Sequence, residues 1–207
     1  MIDVHIAHMP EYRQDWWEEC QLSLQDHPIT IHHIDGIPGD VRQMRLNGYN
    51  MGTHDYVSFV DPDDIVMPGA FEVLLEVLTS NPDVDGVYSL SDRITDTGRS
   101  VGLIHPYREY DRSYLSKHIA EIHQLTVMRR DAIVNIIRDN FNDIPPIGYT
   151  EITTFAMFAM KYQWKAVDHV GYKWRVHANG AHNQPYVERK VSLDRIKSLH
   201  DELTKDK

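Results

Sequence analysis

The 207-residue chain has one cysteine, Cys20. That excludes an internal disulfide framework and any zinc site built from several thiolates, and it fits a reducing compartment. Long hydrophobic runs are missing too: nowhere do about 18 apolar residues follow one another. The N-terminus, Met1-Ile-Asp-Val-His-Ile-Ala-His8, lacks the basic stretch and long apolar segment of an export signal. A soluble, cytoplasmic protein without integral membrane association is expected. Positive charge is scarce, since 21 Lys and Arg face 31 Asp and Glu and leave a formal net charge of −10. This weighs against a generic grip on nucleic-acid phosphates, which needs clustered Lys and Arg. Only a local groove from Arg129, Arg130, Lys173 and Arg175 would counter it, so a nucleic-acid acceptor such as a modified base is not favoured. Internal repeats and low-complexity segments are also absent.

What is present is globular: hydrophobic residues make up 42% and charged residues 25%, over a length suited to one domain. Residues 2–8 alternate apolar and polar side chains as a strand does. Glu11 to Leu24 places Trp16, Trp17, Cys20 and Leu24 on one helical face, with Cys20 as a packing residue. Ile29 to Ile34 reads as a second strand ending at Asp35-Gly36. Strand, helix, strand opens a parallel α/β sheet. Val41 to Asn50 reads as a helix whose Arg42 and Arg45 are surface neighbours, Tyr56 to Val60 as a strand, and Ala70 to Leu78 as a helix stopped by Asn81-Pro82. Val84 to Leu90 and Val101 to Ile104 read as strands around Thr97-Gly98, Tyr107 to Tyr114 as an irregular loop, Ile122 to Val127 as a strand and Arg130 to Ile137 as a helix. The adjacent prolines make 141–148 a loop. Tyr149 to Met160 is apolar nearly all round and therefore a buried helix, with Thr150 as N-cap and Glu151 in its first turn. Trp164 to Val170 and Tyr172 to His177 read as two short strands, and the charged tail from Val187 as a terminal helix.

The densest chemistry is in Asp61-Pro62-Asp63-Asp64, directly after the third strand. Three carboxylates so close repel one another and call for water, cations or a metal ion. A calcium loop of EF-hand type is excluded, because Ile65 and Val66 stand where an oxygen ligand and a glycine are needed. An acidic turn with no further purpose remains one reading. The other is an Asp-x-Asp motif that holds magnesium or manganese against a diphosphate. Ligands of open α/β sheets sit outside the carboxyl ends of the strands, where Asp35 and Asp61 both belong.

The order of motifs resembles the family 2 glycosyltransferases. These run Arg-Asn-x-Gly, then Ala-x-Gly-x-Tyr, then a hydrophobic strand and Asp-x-Asp-Asp. This chain has Arg45-Leu-Asn-Gly48, Gly52-Thr-His-Asp-Tyr56 and Val57-Ser-Phe-Val-Asp-Pro-Asp-Asp64 at the same spacing. It departs from the pattern at Leu46, Gly52 and His54. The family's Glu-Asp pair at the start of a buried helix corresponds to Thr150-Glu151, and its aromatic-x-aromatic-Arg-x-His to Tyr172-Lys-Trp-Arg-Val-His177. The resemblance spans about residues 2 to 180.

The resemblance implies a GT-A-type, Rossmann-like fold: a mixed, mostly parallel sheet flanked by helices in one compact domain. That domain would cover residues 1–185, with 186–207 as a charged helix or tail of the same unit. It implies a nucleotide-diphosphate sugar donor, UDP-sugars foremost, with Mn2+ or Mg2+ as cofactor and transfer to an acceptor hydroxyl with inversion. Glu151 would be the catalytic base, a carboxylate kept ionised at neutral pH by the helix N-terminus. Asp63, Asp61 and His177 would hold the metal, with Asp64 and His182 as weaker candidates. Ala7, Met9, Asp35, Arg42, Arg45, Asp61, Pro62 and Arg175 would bind the donor, with Pro10 on the same edge. The acceptor stays unknown. The competing readings are a nucleotide-sugar-binding protein without catalysis and a nucleotidyltransferase. The second usually has a glycine-rich phosphate loop with a lysine near the first strand, and 7–13 does not supply one.

Overall fold

The computed structural model describes residues 1–8, 13–115, 118, 121–178, 180, 198 and 201. Strands β1 (Ile2–His8), β2 (Ile29–Asp35) and β3 (Tyr56–Val60) are mutually parallel, with β1 in the middle. They are joined through helices α1 (Gln14–Ser23) and α2 (Val41–Tyr49). After β4 (Ile65–Val66) and α3 (Ala70–Ser80), the hairpin β5 (Gly86–Ile94) and β6 (Ser100–Leu103) forms the expected antiparallel excursion. A single turn, α4 (Arg112–Leu115), closes the stretch read as irregular. Strand β7 (Thr126–Arg129) begins four residues later than its apolar pattern indicated, and α5 (Arg130–Asp139) follows at once. Helix α6 (Thr150–Lys161) leads to β8 (Trp164–Arg175).

The sheet order is β2-β1-β3-β7-β5-β8-β4, with β6 beside β5. Strand β7 runs antiparallel to both β3 and β5, and β5 pairs in parallel with β8. The result is a mixed sheet flanked by helices, as expected, but a less parallel one: three of its pairings are parallel and four antiparallel. Two strands were expected where β8 is one. Register shifts at Leu90 let a single strand follow β5 through Gly171, where an added Cβ would meet Ser89 Oγ at 2.7 Å. The tail read as a terminal helix lies almost wholly outside the described residues.

Both faces of the sheet are covered. Ile2, Val4 and Ile6 face a core completed by Cys20, Leu24, Phe71, Leu74 and Leu78, and the opposite face is closed by residues of α2, α5 and α6. The polar positions of β1 therefore point into protein instead of water. Asp3, 1% exposed, receives hydrogen bonds from His32 Nε2 (2.7 Å) and the His54 amide (2.8 Å) and pairs with Arg130. His5 is shared between the carbonyls of Ser58 and Met51. A buried carboxylate must be paired and hydrogen-bonded in this way.

Helix α2 starts where the Asp40 carboxylate accepts the Gln43 amide hydrogen at 2.9 Å, an N-cap. It then lies flat on β1 and β3, because Gly48 has no side chain: a Cβ there would meet Phe59 Cε2 at 2.9 Å and Ile34 Cδ1 at 3.0 Å. Gly48→Ala should lower unfolding free energy by about 1–3 kcal/mol in urea titrations, the cost of overpacking. An unchanged midpoint would show that α2 does not need this close approach.

Candidate active site

The carboxyl ends of β1, β2 and β3 carry Ala7, Asp35 and Asp61. Ala7 is buried beside Ile34 in the pair β1–β2, and Asp35 is exposed at the end of β2. Met9, Pro10 and His182 lie outside the described residues. After β3 the chain turns through a buried Pro62, and this turn is fixed from three sides. The Asp61 amide donates to Tyr172 Oη at 3.1 Å, the Asp64 amide to the Asp61 carbonyl at 3.2 Å, and the Arg175 amide to Asp64 Oδ1 at 2.7 Å. Cys20, a packing residue as expected, adds a thiol hydrogen bond to the Asp61 carbonyl at 3.5 Å.

Each of the clustered carboxylates has a different neighbour. Asp61 Oδ1 accepts from the Arg45 guanidinium at 2.9 Å. Asp63 Oδ2 lies 2.7 Å from His177 Nε2. Asp64 is buried, and its pKa is pushed well up by burial and then by the charges of Asp63 and Asp61. Asp63 is shifted upward by burial and by Asp61. This is the electrostatic conflict implied by three acids in four positions.

Arg45 is the meeting point. It is 5% exposed, its guanidinium lies 4.0 Å over the Phe59 ring, and the nitrogen that holds Asp61 also contacts Glu151 Oε1. Gln124 Nε2 donates to the same Glu151 oxygen. Glu151 thus stands in the first turn of α6, as its position predicts, but two expectations about it change. Thr150 is the first helical residue and not the cap: Tyr149 occupies that position in the left-handed region at φ 47°, and Thr150 Oγ1 donates to the Pro145 carbonyl at 2.9 Å. Burial, not the helix terminus, dominates the acidity of Glu151 and pushes its pKa up to about 7 against the opposing pull of Arg45.

Arg42 lines the same small cavity as Arg45, Tyr49 and Glu151. Its guanidinium, however, donates to the carbonyls of Phe141 (2.7 Å) and Ile144 (3.1 Å) and stacks on Phe141. It binds the loop that delivers α6. Arg175, 2% exposed, donates to the carbonyls of Asp63 (2.7 Å) and Asp96 (3.2 Å) and pairs with Glu19. Arg130 is occupied by Asp3 and by the carbonyls of Tyr49, Met51 and His54. The basic groove considered for nucleic acid therefore does not form from Arg130 and Arg175, whose donors are turned inward. Gln124 and Tyr172 are site residues that the sequence did not single out. Tyr172 lay within a quoted motif, whereas Gln124 lay unremarked inside the stretch read as a strand and in the structure precedes β7.

Among the described residues, no group of three or more His, Cys, Asp or Glu is arranged to hold a metal ion by itself. The pair Asp63 and His177 does fit an ion shared with a ligand, since magnesium uses one or two protein groups and completes its shell with water and phosphate oxygens.

At the carboxyl edge of the sheet, then, the acidic turn after β3 faces a glutamate at the start of α6. Residues 43–137 match the family described as Glycosyl transferase family 2, a segment that includes Arg45, Asp61 and Asp63 and ends before Glu151. That segment is a little under half of the chain, and the fold as a whole is of GT-A type. Among solved structures it is similar to S. aureus TarS 1-349 in complex with UDP-GlcNAc, with TM-score 0.69 and 12% identity over 98% of this chain and 70% of that one. The corresponding complex with UDP gives 0.67 and 12%, covering 98% and 69%. S. aureus TarS gives 0.65 and 12%, and there the chain spans 42% of the other. A search of curated proteins gave no match. Among the described residues no helix is long and apolar enough to cross a membrane.

The raised pKa of Glu151 has a consequence for stability. A carboxyl whose pKa rises from about 4.3 in the unfolded chain to about 7 in the folded protein stabilises the fold below the first value. That contribution is lost as pH climbs through the second. Glu151→Gln removes the ionisation, so the variant should gain stability relative to the parent between pH 5 and pH 8 in thermal melts. Parallel pH profiles for the two proteins would contradict this.

Proposed function

We propose that the chain transfers a sugar from a nucleotide-diphosphate donor, a UDP-sugar, to an acceptor hydroxyl, with inversion at the anomeric carbon. The observation that carries this reading is the bridge formed by Arg45 between Asp61 of the acidic turn and Glu151 of α6. It places one base beside a turn suited to a donor diphosphate. Glu151 Oε1 is occupied by Arg45 and Gln124, which leaves Oε2 to take the proton of the acceptor hydroxyl. The hydroxyl oxygen then forms its bond to the anomeric carbon. The bond from that carbon to the diphosphate oxygen breaks, and its electron pair leaves with the nucleotide. A base with a pKa near neutrality suits the step, because a substantial fraction is ionised at neutral pH while the group is still basic enough to accept a proton. Inversion follows from the lone base and direct displacement.

Asp63 and His177 are the residues that would hold Mg2+ or Mn2+, which when bound would neutralise charge on the departing diphosphate. Asp35 and Ala7 would line the nucleotide end of the same edge. Arg45 keeps Asp61 and Glu151 from repelling one another. Binding of UDP-GlcNAc and UDP is a property of the TarS complexes, and it supports a uridine donor here.

Two measurements test the reading. UDP with MnCl2 should raise the melting temperature more than UDP alone, and Asp63→Asn should abolish the manganese-dependent part. Glu151→Gln should retain UDP binding while slowing donor turnover by about a hundred- to ten-thousandfold, the range for loss of a general base. Full turnover in that variant would remove Glu151 from the mechanism, and no stabilisation by any nucleoside diphosphate would overturn the activity itself.

A further inference from the structure

Of the four residues expected on one apolar face of the first helix, Cys20 and Leu24 join a hydrophobic cluster and Trp17 packs against it. Trp16, only 8% exposed, belongs to neither cluster of the described residues. Its ring meets charged and polar groups instead. The Arg13 guanidinium lies 4.0 Å from the ring centre, the Arg175 guanidinium 5.1 Å and the centre of the His177 ring 4.7 Å. The indole N–H donates to the Asp96 carbonyl at 3.2 Å, and the same oxygen accepts from Arg175 Nη1 at 3.2 Å. Trp16 is thus fastened to the turn between β5 and β6 while it packs against the residues that end β8. A tryptophan buried against two guanidiniums and an imidazole adds little to an apolar core, so its use lies with those groups.

We propose that Trp16 is a positioning residue of the ion site: it walls the His177 imidazole so that Nε2 stays at Asp63, ready to receive a divalent cation. The inference rests on Asp63 and His177 being the ligands of that ion. His177 lies two residues beyond the end of β8, outside the strand ladder. Its Nε2 is 2.7 Å from Asp63 Oδ2, and its ring packs on the indole. Two neighbouring ligands of an octahedral magnesium ion, each about 2.1 Å from it, are about 3 Å apart. The pair therefore needs to open by only a few tenths of an ångström to admit one. A wall that keeps the ring from swinging away preserves this nearly formed site. Without it the imidazole is free to turn, and ion binding has first to order it again. Arg175 is held by the same indole and shares its carbonyl acceptor. Trp16 thereby also fastens the strand end that delivers His177 to α1.

The test measures bound Mn2+ by electron paramagnetic resonance in the full chain saturated with UDP. Trp16→Leu should weaken Mn2+ binding about ten- to a hundredfold, the range for loss of a residue that orients a metal ligand. Trp16→Phe keeps a flat ring against the imidazole and should lose less. In both variants the affinity for UDP without metal should fall less than that for Mn2+. A second readout uses the unaltered chain and so does not depend on how the variants fold. Mn2+ added below one equivalent should broaden the NMR signal of the Trp16 indole N–H and leave that of Trp164, at the far end of β8, sharp. The inference is overturned if Trp16→Leu binds Mn2+ as the parent does, or if the Trp16 signal stays sharp while Mn2+ binds. It is also overturned if UDP affinity without metal falls as far as that for Mn2+, since Trp16 would then support the acidic turn as a whole. A parent chain that binds no Mn2+ beside UDP would count against Asp63 and His177 as ligands, and the role of Trp16 would fall with them. Normal binding in the parent and in Trp16→Leu alike would count against Trp16 alone.

Discussion

The buried guanidinium of Arg45 is the interaction on which the site depends. Two carboxyl groups, Asp61 and Glu151, approach the same point from different ends of the fold. In a low-dielectric setting they could not both ionise without a cation between them. Arg45 supplies it, held over Phe59 and projected from a helix that lies flat because Gly48 has no side chain. The neighbouring Arg42 serves the same end by another route. By gripping the carbonyls of Phe141 and Ile144 it fixes the proline-containing loop, and this loop, through Pro145 and Thr150, sets where α6 begins. Two arginines three residues apart thus share one task, one positioning the glutamate's helix and the other meeting its charge.

A second internal cation fixes the other half. Arg175, at the end of β8, holds the carbonyls of Asp63 and Asp96 with its guanidinium and the Asp64 carboxylate with its amide, and it also pairs with Glu19 from α1. The acidic turn is thereby fastened to the strand next to β4 and to the first helix at once. Arg42, Arg130 and Arg175 are committed to protein carbonyls and carboxylates. In the proposed reaction, neutralisation of a donor diphosphate would then fall to an ion held by Asp63 and His177.

Much of this was legible before any coordinates. The first three strands, α2 and α3 follow from hydrophobic period and turn residues, and the acidic turn and Glu151 follow from their order along the chain. Other features depend on groups far apart in sequence. The alternation in β1 marked Asp3 and His5 as polar positions, but only the helices packed on that face show them to be buried, with Arg130 supplied from 127 residues away. The spacing of Arg42 and Arg45 placed them side by side, and local pattern gives no hint that one turns to loop carbonyls. Gln124 was invisible for a different reason: it is one polar position of the strand expected over 122–127, whereas β7 begins only at Thr126, and a strand pattern does not tell such a position from any other polar one.

The four acids of the site show how environment can divide chemically similar groups. Asp61 is tied to a buried arginine, Asp63 to an imidazole, and Asp64 to a backbone amide deep in the protein. Glu151 shares the same arginine as Asp61 and still reaches a pKa of about 7, because its burial outweighs the pull of Arg45 and of the Gln124 amide while Asp61 pushes the same way. A carboxylate fully stabilised by its partners would be a poor proton acceptor, and one with no partner would stay protonated. Glu151 lies between these limits. The cation that allows both acids to approach one another does not pull the glutamate back to the acidity of an exposed carboxyl, which is what the proposed role of Glu151 as base requires.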